Sequence, residues 1–372
     1  MNASKLTSRK NRREERKKGK GSTTGQALTI ISACLSSISL RSFSLPWWGL
    51  TPPRGQAPVD VVHVHVLTLK HAPGIPQRRR ERHVRSVKAI RTMQSGAERM
   101  KAYISIDMEG ICGIVRELET DPKKGGDAYE QSRHLMTQEA NAAIEGCIKG
   151  GATEVLIADS HWNFDNLIPE ELHEAATLLR GTPRGLSMMQ DLDASFDAAL
   201  FVGYHAKAGT PRAILDHTYS GTIAAVRVNG TEIGETGINA YLAGHHGVPV
   251  VLVTGDRAVT AEAKALIPNI HTVAVKDATG ATSARNLHPK KAREQIRAEA
   301  TKAVQGAKSI LPIRAKTPIE MIVEFRGTYA ADRAAMIPTV RRVGGLRFEF
   351  EADDYPEAFR VFYAMVTIAG DE

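Results

Sequence analysis

Short apolar runs rich in β-formers alternate with helical periodicity along most of this chain, and few folds accommodate that alternation. From Met100 onward "AYISI", "TEVLIA", "FDAALFV" and "VPVVLV" are each of strand length. Between the first two, "HLMTQEANAAIEGCIKGG" puts Met136, Ala140, Ala143, Ile144, Cys147 and Ile148 at helical spacing, and Gly150-Gly151 closes the segment. Strands that are apolar throughout and separated by helices assemble as a mostly parallel sheet flanked by helices. An α/β fold is expected, and ligands of such sheets gather at the carboxyl ends of the strands.

Those ends carry chemistry. "AYISI" runs into Asp107-Met108-Glu109, "TEVLIA" into Asp159-Ser160-His161 and "FDAALFV" into Gly203-Tyr204-His205. Residues i and i+2 of an extended chain point the same way, so Asp107 and Glu109 crowd one face. Two like charges there are costly unless a cation sits between them. Neighbouring strands lie about 4.8 Å apart, which brings successive strand ends within reach of one ion. Oxygen and imidazole donors without thiolate suit zinc, manganese or iron, and a catalytic zinc better than a purely structural one. Asp159 either orients His161, touches a metal or caps the next turn.

"AAVRVNGTEIGETGINAYLAGHHG" reads as a strand, an Asn229-Gly230 turn, a second strand and a helix. Glu235 stands at the start of that helix, where open amides and the dipole favour a carboxylate. It serves there as a ligand or as a helix-terminal charge. Further on, "NLHPKKAREQIRAEATKAVQGA" is a charged amphipathic helix, and "IEMIVEF" and "GLRFEFEADD" are strands. "YPEAFRVFYAMVTIA" closes the chain as a helix with apolar Phe359, Phe362, Met365 and Val366. The expected organisation is a metal-binding catalytic α/β domain over 100–275 and a smaller α/β domain over 276–372 that shapes the pocket or assembles subunits.

The chain of 372 residues has a formal charge of +8, but the charge is not shared evenly. Residues 1–99 hold 20 Lys/Arg and 5 Asp/Glu, leaving 29 and 36 for the rest. The basic first 99 residues lack sustained periodicity and are expected to be a disordered or misassigned extension, with the working protein starting at Met100. A nucleic-acid or membrane-surface binder acting through that segment is the remote alternative; no nucleic-acid or membrane partner is expected. Cys34, Cys112 and Cys147 form no C-x-x-C and no disulfide framework, which fits the cytoplasm. No apolar run approaches the roughly 20 residues that span a bilayer.

"SIDMEGICG", "ADSHWN", "GYHAKAGTP", "HTYSG" and "GETGINAYLAG" occur in one order. Together they resemble the bacterial D-aminopeptidase family, self-compartmentalising zinc peptidases of the dipeptide-permease-operon type. The resemblance runs from about Met100 to near the C-terminus and includes "FRGTYAADRAAMIP". It implies two zinc ions per subunit, held by Asp107, Glu109, His161, His205 and Glu235, with Asp107 bridging. It marks His217 of "LDHTYSG" as catalytic, whether as nucleophile, proton donor or oxyanion stabiliser; lining the pocket is the alternative to that expected role. It implies a homodecamer acting on short peptides with N-terminal D-residues, such as D-Ala-D-Ala, by metal-assisted amide hydrolysis. Another amide substrate on the same scaffold is the alternative. Three carboxylates against the +4 of two zinc ions would resolve the crowding of Asp107 and Glu109. Cys112 stands where the family has a Ser, Asp216 precedes His217 where a small polar residue is usual, and the loop from His205 to His217 is one residue longer.

Overall fold

The computed structural model describes residues 99–370. The expectations for the basic N-terminal segment lie outside the described residues. Strands β1 (Lys101–Ile106), β2 (Glu154–Asp159), β3 (Ala176–Leu179), β4 (Ala198–Tyr204), β7 (Val250–Asp256) and β8 (His271–Gly280) form a parallel sheet. β9 (Ser283–Asn286) closes it antiparallel to β8, giving the order β3-β2-β1-β4-β7-β8-β9. The inner strands β4 and β7 are buried along their whole length, which is why they read as unbroken apolar runs. A second, antiparallel sheet has the order β11-β12-β10-β5-β6. Its strands are β5 (Ile223–Val228), β6 (Thr231–Ile233), β10 (Ile319–Phe325), β11 (Arg341–Arg342) and β12 (Arg347–Ala352).

Helices flank the sheets. α1 (Asp127–Gly150) buries Met136, Ala140, Ala143, Ile144 and Cys147. Ile148, expected on the same face, is 38 % exposed: at about 100° per residue it falls at the edge of the stripe centred on Met136, Ala140, Ala143 and Cys147. Gly151, at φ 108°, stops the helix in the left-handed conformation that suits glycine. α4 (Pro289–Gln305) lies along α1 so closely that a β-carbon on Gly146 would meet Ala300 at 2.6 Å. α6 (Tyr355–Ala369) buries Phe359, Phe362, Met365 and Val366. α2 (Glu235–His245), α3 (Arg257–Leu266) and α5 (Thr328–Ala334) complete the set.

The hairpin β5-β6 pairs with β10, so the second sheet draws strands from both the middle and the end of the chain. The boundary expected at residue 275 falls inside β8, which belongs to the parallel sheet. Strand order decides where a site can form. From β1 the chain goes to β2 and then β3 on one side, and returns to β4 on the other. The switch point therefore lies between β1 and β4, with the end of β2 alongside. Among the described residues no helix is long and apolar enough to cross a membrane.

Candidate metal centre

Asp107 follows β1 directly, and its oxygens face two ways. Oδ1 lies 3.3 Å from His161 Nδ1, and Oδ2 lies 3.4 Å from His205 Nε2. Glu109 Oε2 is 3.1 Å from His161 Nδ1, and Glu235 Oε1 is 3.3 Å from His205 Nε2. His217 Nε2 stands 3.6 Å from the same Glu235 oxygen, and its ring stacks on His205. The six residues expected from sequence thus meet in one cluster. Five of them are buried, whereas the His217 side chain is 27 % exposed and forms the open side.

Close backbone approach makes this possible. Gly110 donates its N–H to the Gly203 carbonyl at 2.7 Å, and a β-carbon on Gly110 would lie 2.0 Å from the Tyr204 carbonyl oxygen. The Asp107–Gly110 turn and the end of β4 touch main chain to main chain, leaving no room for a side chain. On the β2 side, Asp159 does not join the cluster. Its carboxylate accepts the Asn166 and Leu167 N–H groups and the Asn166 side-chain amide, at 2.6–2.7 Å. It shapes the loop that carries His161. Asn166 completes the lock by donating to the His161 carbonyl. Trp162 and Phe164 in this loop, and Arg212, Leu215 and Tyr219 around His217, hold positive φ without being glycine. Such strain persists only where the surroundings enforce it, and it concentrates at functional sites.

The histidines share one pattern. His161 Nε2 faces the Thr120 carbonyl at 2.8 Å, His205 Nδ1 the Ala206 carbonyl at 3.0 Å, and His217 Nδ1 the Leu215 carbonyl at 2.8 Å. A carbonyl oxygen only accepts, so each of these nitrogens carries a proton. The other nitrogen of each neutral ring then turns a lone pair toward carboxylate oxygens. Lone pair against lone pair in a buried place is repulsive unless a cation lies between them. Glu109 Oε2 and His205 Nε2 are buried without a hydrogen-bond partner. Asp107, Glu109 and His205, and again His205, His217 and Glu235, offer ligand atoms within 4.8 Å of one another. Oxygen and imidazole donors with one N–H of each imidazole tied to a carbonyl are the hallmark of a divalent metal site.

The protonation energetics agree. Burial, reinforced by the neighbouring Glu109 charge, raises the Asp107 carboxyl to about 8. Burial would raise Glu109 and Glu235 too, but the facing histidines outweigh it and hold both below the usual carboxylate range. Burial lowers the basicity of His161 and His205, yet Glu109 and Glu235 reverse this and hold the two rings well above the ordinary imidazole value. Without a metal the cluster binds protons; a divalent ion would displace them. His217 goes the other way, lowered by burial and then by His205, and stays neutral.

Behind the cluster runs a polar chain that sequence reading missed. Ser105 Oγ meets Ser160 Oγ and Tyr204 Oη, each at 2.7 Å. Asn239 Nδ2 donates to Tyr204 Oη at 3.0 Å, and Tyr219 Oη donates to Asn239 Oδ1 at 2.7 Å. The Tyr219 N–H then donates to Glu235 Oε1 at 2.7 Å. Ser160 and Tyr204 each precede a clustered histidine, and Asn239 lies one helical turn beyond Glu235. The (i, i+4) spacing of Glu235 and Asn239 was the available signal. Tyr219 also packs edge-on against Phe362 of α6, which links the site to the C-terminal helix.

The model of a family described as D-aminopeptidase matches residues 100–364. The chain belongs to the D-aminopeptidase family. It is 36 % identical over 271 residues to the D-aminopeptidase of Bacillus subtilis (strain 168), covering 73 % of this chain and 98 % of that protein. Its fold matches the solved structure of the Zn-dependent D-aminopeptidase DppA from Bacillus subtilis, a self-compartmentalizing protease. The TM-score is 0.70 at 36 % identity, again over 73 % of this chain and 98 % of that one. All six residues of the cluster lie within the segment that the D-aminopeptidase family model matches.

Proposed function

We propose that this D-aminopeptidase-family chain is a zinc-dependent aminopeptidase. Its substrates would be short peptides with an N-terminal D-residue, D-Ala-D-Ala among them. The observation that carries the metal chemistry is the shared state of the histidines: each gives one N–H to a main-chain carbonyl and aims its other nitrogen at carboxylates. The D-preference rests on the family.

Two zinc ions fit the donor set. Asp107, Glu109 and His161 would hold one, and Asp107, His205 and Glu235 the other. Bound zinc would supply a Lewis acid able to polarise a scissile carbonyl and to lower the pKa of water to about 7. The protein's residues do the rest. Asp107 and Glu109 keep the centre anionic enough to retain cations, and the buried walls exclude bulk water. His217, neutral and open to solvent, keeps its proton on Nδ1 through the Leu215 carbonyl. Its Nε2 is then free to take the proton that the attacking water gives up and pass it to the leaving amine.

The relative's self-compartmentalizing assembly supports a homo-oligomer here, read as a homodecamer in the cytoplasm. Residues 276–372, with the hairpin their strands bind, would shape the pocket and assemble subunits.

The purified protein is assayed for zinc per subunit and for cleavage of D-Ala-D-Ala beside L-Ala-L-Ala, with and without a chelator. Two bound zinc ions and chelator-sensitive cleavage of the D-peptide are expected. Bound zinc without cleavage of either peptide moves the reading to another amide. A folded protein that takes up no zinc refutes it.

A further inference from the structure

Lys276 is a buried lysine, 2 % exposed, that belongs to neither the histidine nor the carboxylate cluster. It sits in β8 beside Asp256 of β7, where the surrounding pattern is apolar. Its ammonium donates to three main-chain carbonyls: Glu109 at 2.5 Å, Ile111 at 2.9 Å and Ile114 at 2.5 Å. An ammonium has three N–H groups, and here three acceptors take them all. The acceptors belong to one turn, and the first of them is the carbonyl of Glu109 itself.

Other groups grip the same turn. Glu139 of α1, also buried, accepts the Cys112 N–H at 2.9 Å. Asn286 of β9 accepts the Gly113 N–H at 3.0 Å, and the Cys112 thiol lies against the Leu287 carbonyl. Burying an ammonium costs several kcal/mol in desolvation, and an apolar side chain would fill the space more cheaply. A charge kept at that cost beside a ligand-bearing turn needs a reason in the turn. Carbonyls 109, 111 and 114 point inward around one centre, and without a donor there they would repel one another and open the turn.

We propose that Lys276 is a positioning residue for the metal centre: by holding the carbonyls of Glu109, Ile111 and Ile114 it fixes the Glu109 carboxylate against the ion shared with His161. The role rests on the zinc reading above. It predicts an asymmetric effect, because Lys276 touches the Glu109 side and makes no contact with His205 or Glu235.

The test compares the full chain with Lys276→Met, which keeps the stem and removes the donors, and with Lys276→Gln, whose amide supplies two. Zinc binding is measured by competition with a chromophoric chelator, alongside unfolding of the metal-free proteins and kcat and KM on D-Ala-D-Ala. In Lys276→Met one of the two zinc ions should bind 10–100-fold more weakly while the other is unchanged. Lys276→Gln should fall between Lys276→Met and the parent. Parent and Lys276→Met binding both ions equally would overturn the role and leave the zinc reading standing. A parent that binds no zinc would remove both. If both variants fail to fold even with zinc, Lys276 serves the sheet and not the turn, and the proposal is overturned.

Discussion

The ring of His217 lies over that of His205 with centroids 4.0 Å apart and planes 17° from parallel. One of the pair is buried and the other half-open to solvent, so the stack puts a neutral imidazole at the mouth of the site. His217 is also the farthest of the three histidines from its carboxylate, at 3.6 Å. A proton-transfer role for this ring predicts that His217→Ala keeps the parent's zinc content and loses about 10²-fold or more in kcat. Zinc content by elemental analysis, beside steady-state kinetics, checks both parts. Loss of a zinc ion would make His217 a ligand.

Asn239 joins two buried hydroxyls, those of Tyr204 and Tyr219, and Tyr219 in turn holds Glu235 through its N–H. Asn239→Leu fills similar volume but leaves the Tyr219 hydroxyl without its acceptor. An unmet buried polar group costs about 1–3 kcal/mol. The metal-free variant should unfold in urea with a stability lower by about 2 kcal/mol. It should also bind zinc more weakly, since the anchor of the Glu235 carboxylate has loosened. An unchanged urea midpoint would mean that water or a neighbour replaces the amide.

The strand ends bearing Asp107, His161 and His205 were legible because each of these residues lies within three positions of the end of an apolar run. The hairpin and helix that deliver Glu235 were legible from the Asn229-Gly230 turn. The lattice that holds these groups was not. Ser105 meets Tyr204 across 99 positions and Lys276 reaches Glu109 across 167. No local period encodes such pairs. A lysine in a strand ordinarily reads as a solvated edge, and β8 becomes a buried home for one only when the Glu109–Ile114 turn folds over it. β3 went unseen because it is four residues long and only half-buried, so its apolar pattern is weak. α3 went unseen because its start signal is a single residue at the very end of β7, Asp256, which caps the helix by accepting the Val259 N–H.

Glu139 makes the stability of the protein depend on pH. Burial raises its carboxyl to about 7, while the Cys112 N–H and Lys276 pull less strongly the other way. In the unfolded chain the group titrates near the ordinary value of 4.5. The folded state therefore binds the extra proton between about pH 4.5 and pH 7, and stability falls as pH rises through that window. The stabilisation is complete below the window and gone above it. A shift of this size corresponds to a loss on the order of 3 kcal/mol. Glu139→Gln keeps an acceptor for Cys112 and cannot ionise. Denaturation of the chelated proteins should show the parent losing stability relative to Glu139→Gln between pH 4.5 and 7, and running parallel to it above. Parallel curves throughout would mean that the carboxyl ionises normally in the fold.

Gly110 offers the sharpest separation of site from scaffold. A β-carbon there would stand 2.0 Å from the Tyr204 carbonyl oxygen and 2.4 Å from the Gly203 carbonyl carbon, both main-chain atoms that cannot rotate away. Gly110→Ala must therefore push the Asp107–Gly110 turn off the end of β4 and lengthen the Gly110-to-Gly203 hydrogen bond. Asp107 and Glu109 ride on one side of that seam and His205 on the other, so the shift parts the residues proposed to hold zinc. The expected result is zinc binding weaker by tenfold or more and a stability loss above about 3 kcal/mol. Gly151→Ala is the control. It forces a β-carbon onto φ 108°, with nothing within 4 Å of it, at the far end of α1. Backbone strain alone should cost it about 1–2 kcal/mol and leave zinc affinity untouched. Equal zinc affinity in both variants would mean that the seam between β1 and β4 does not set the spacing of the metal-binding groups.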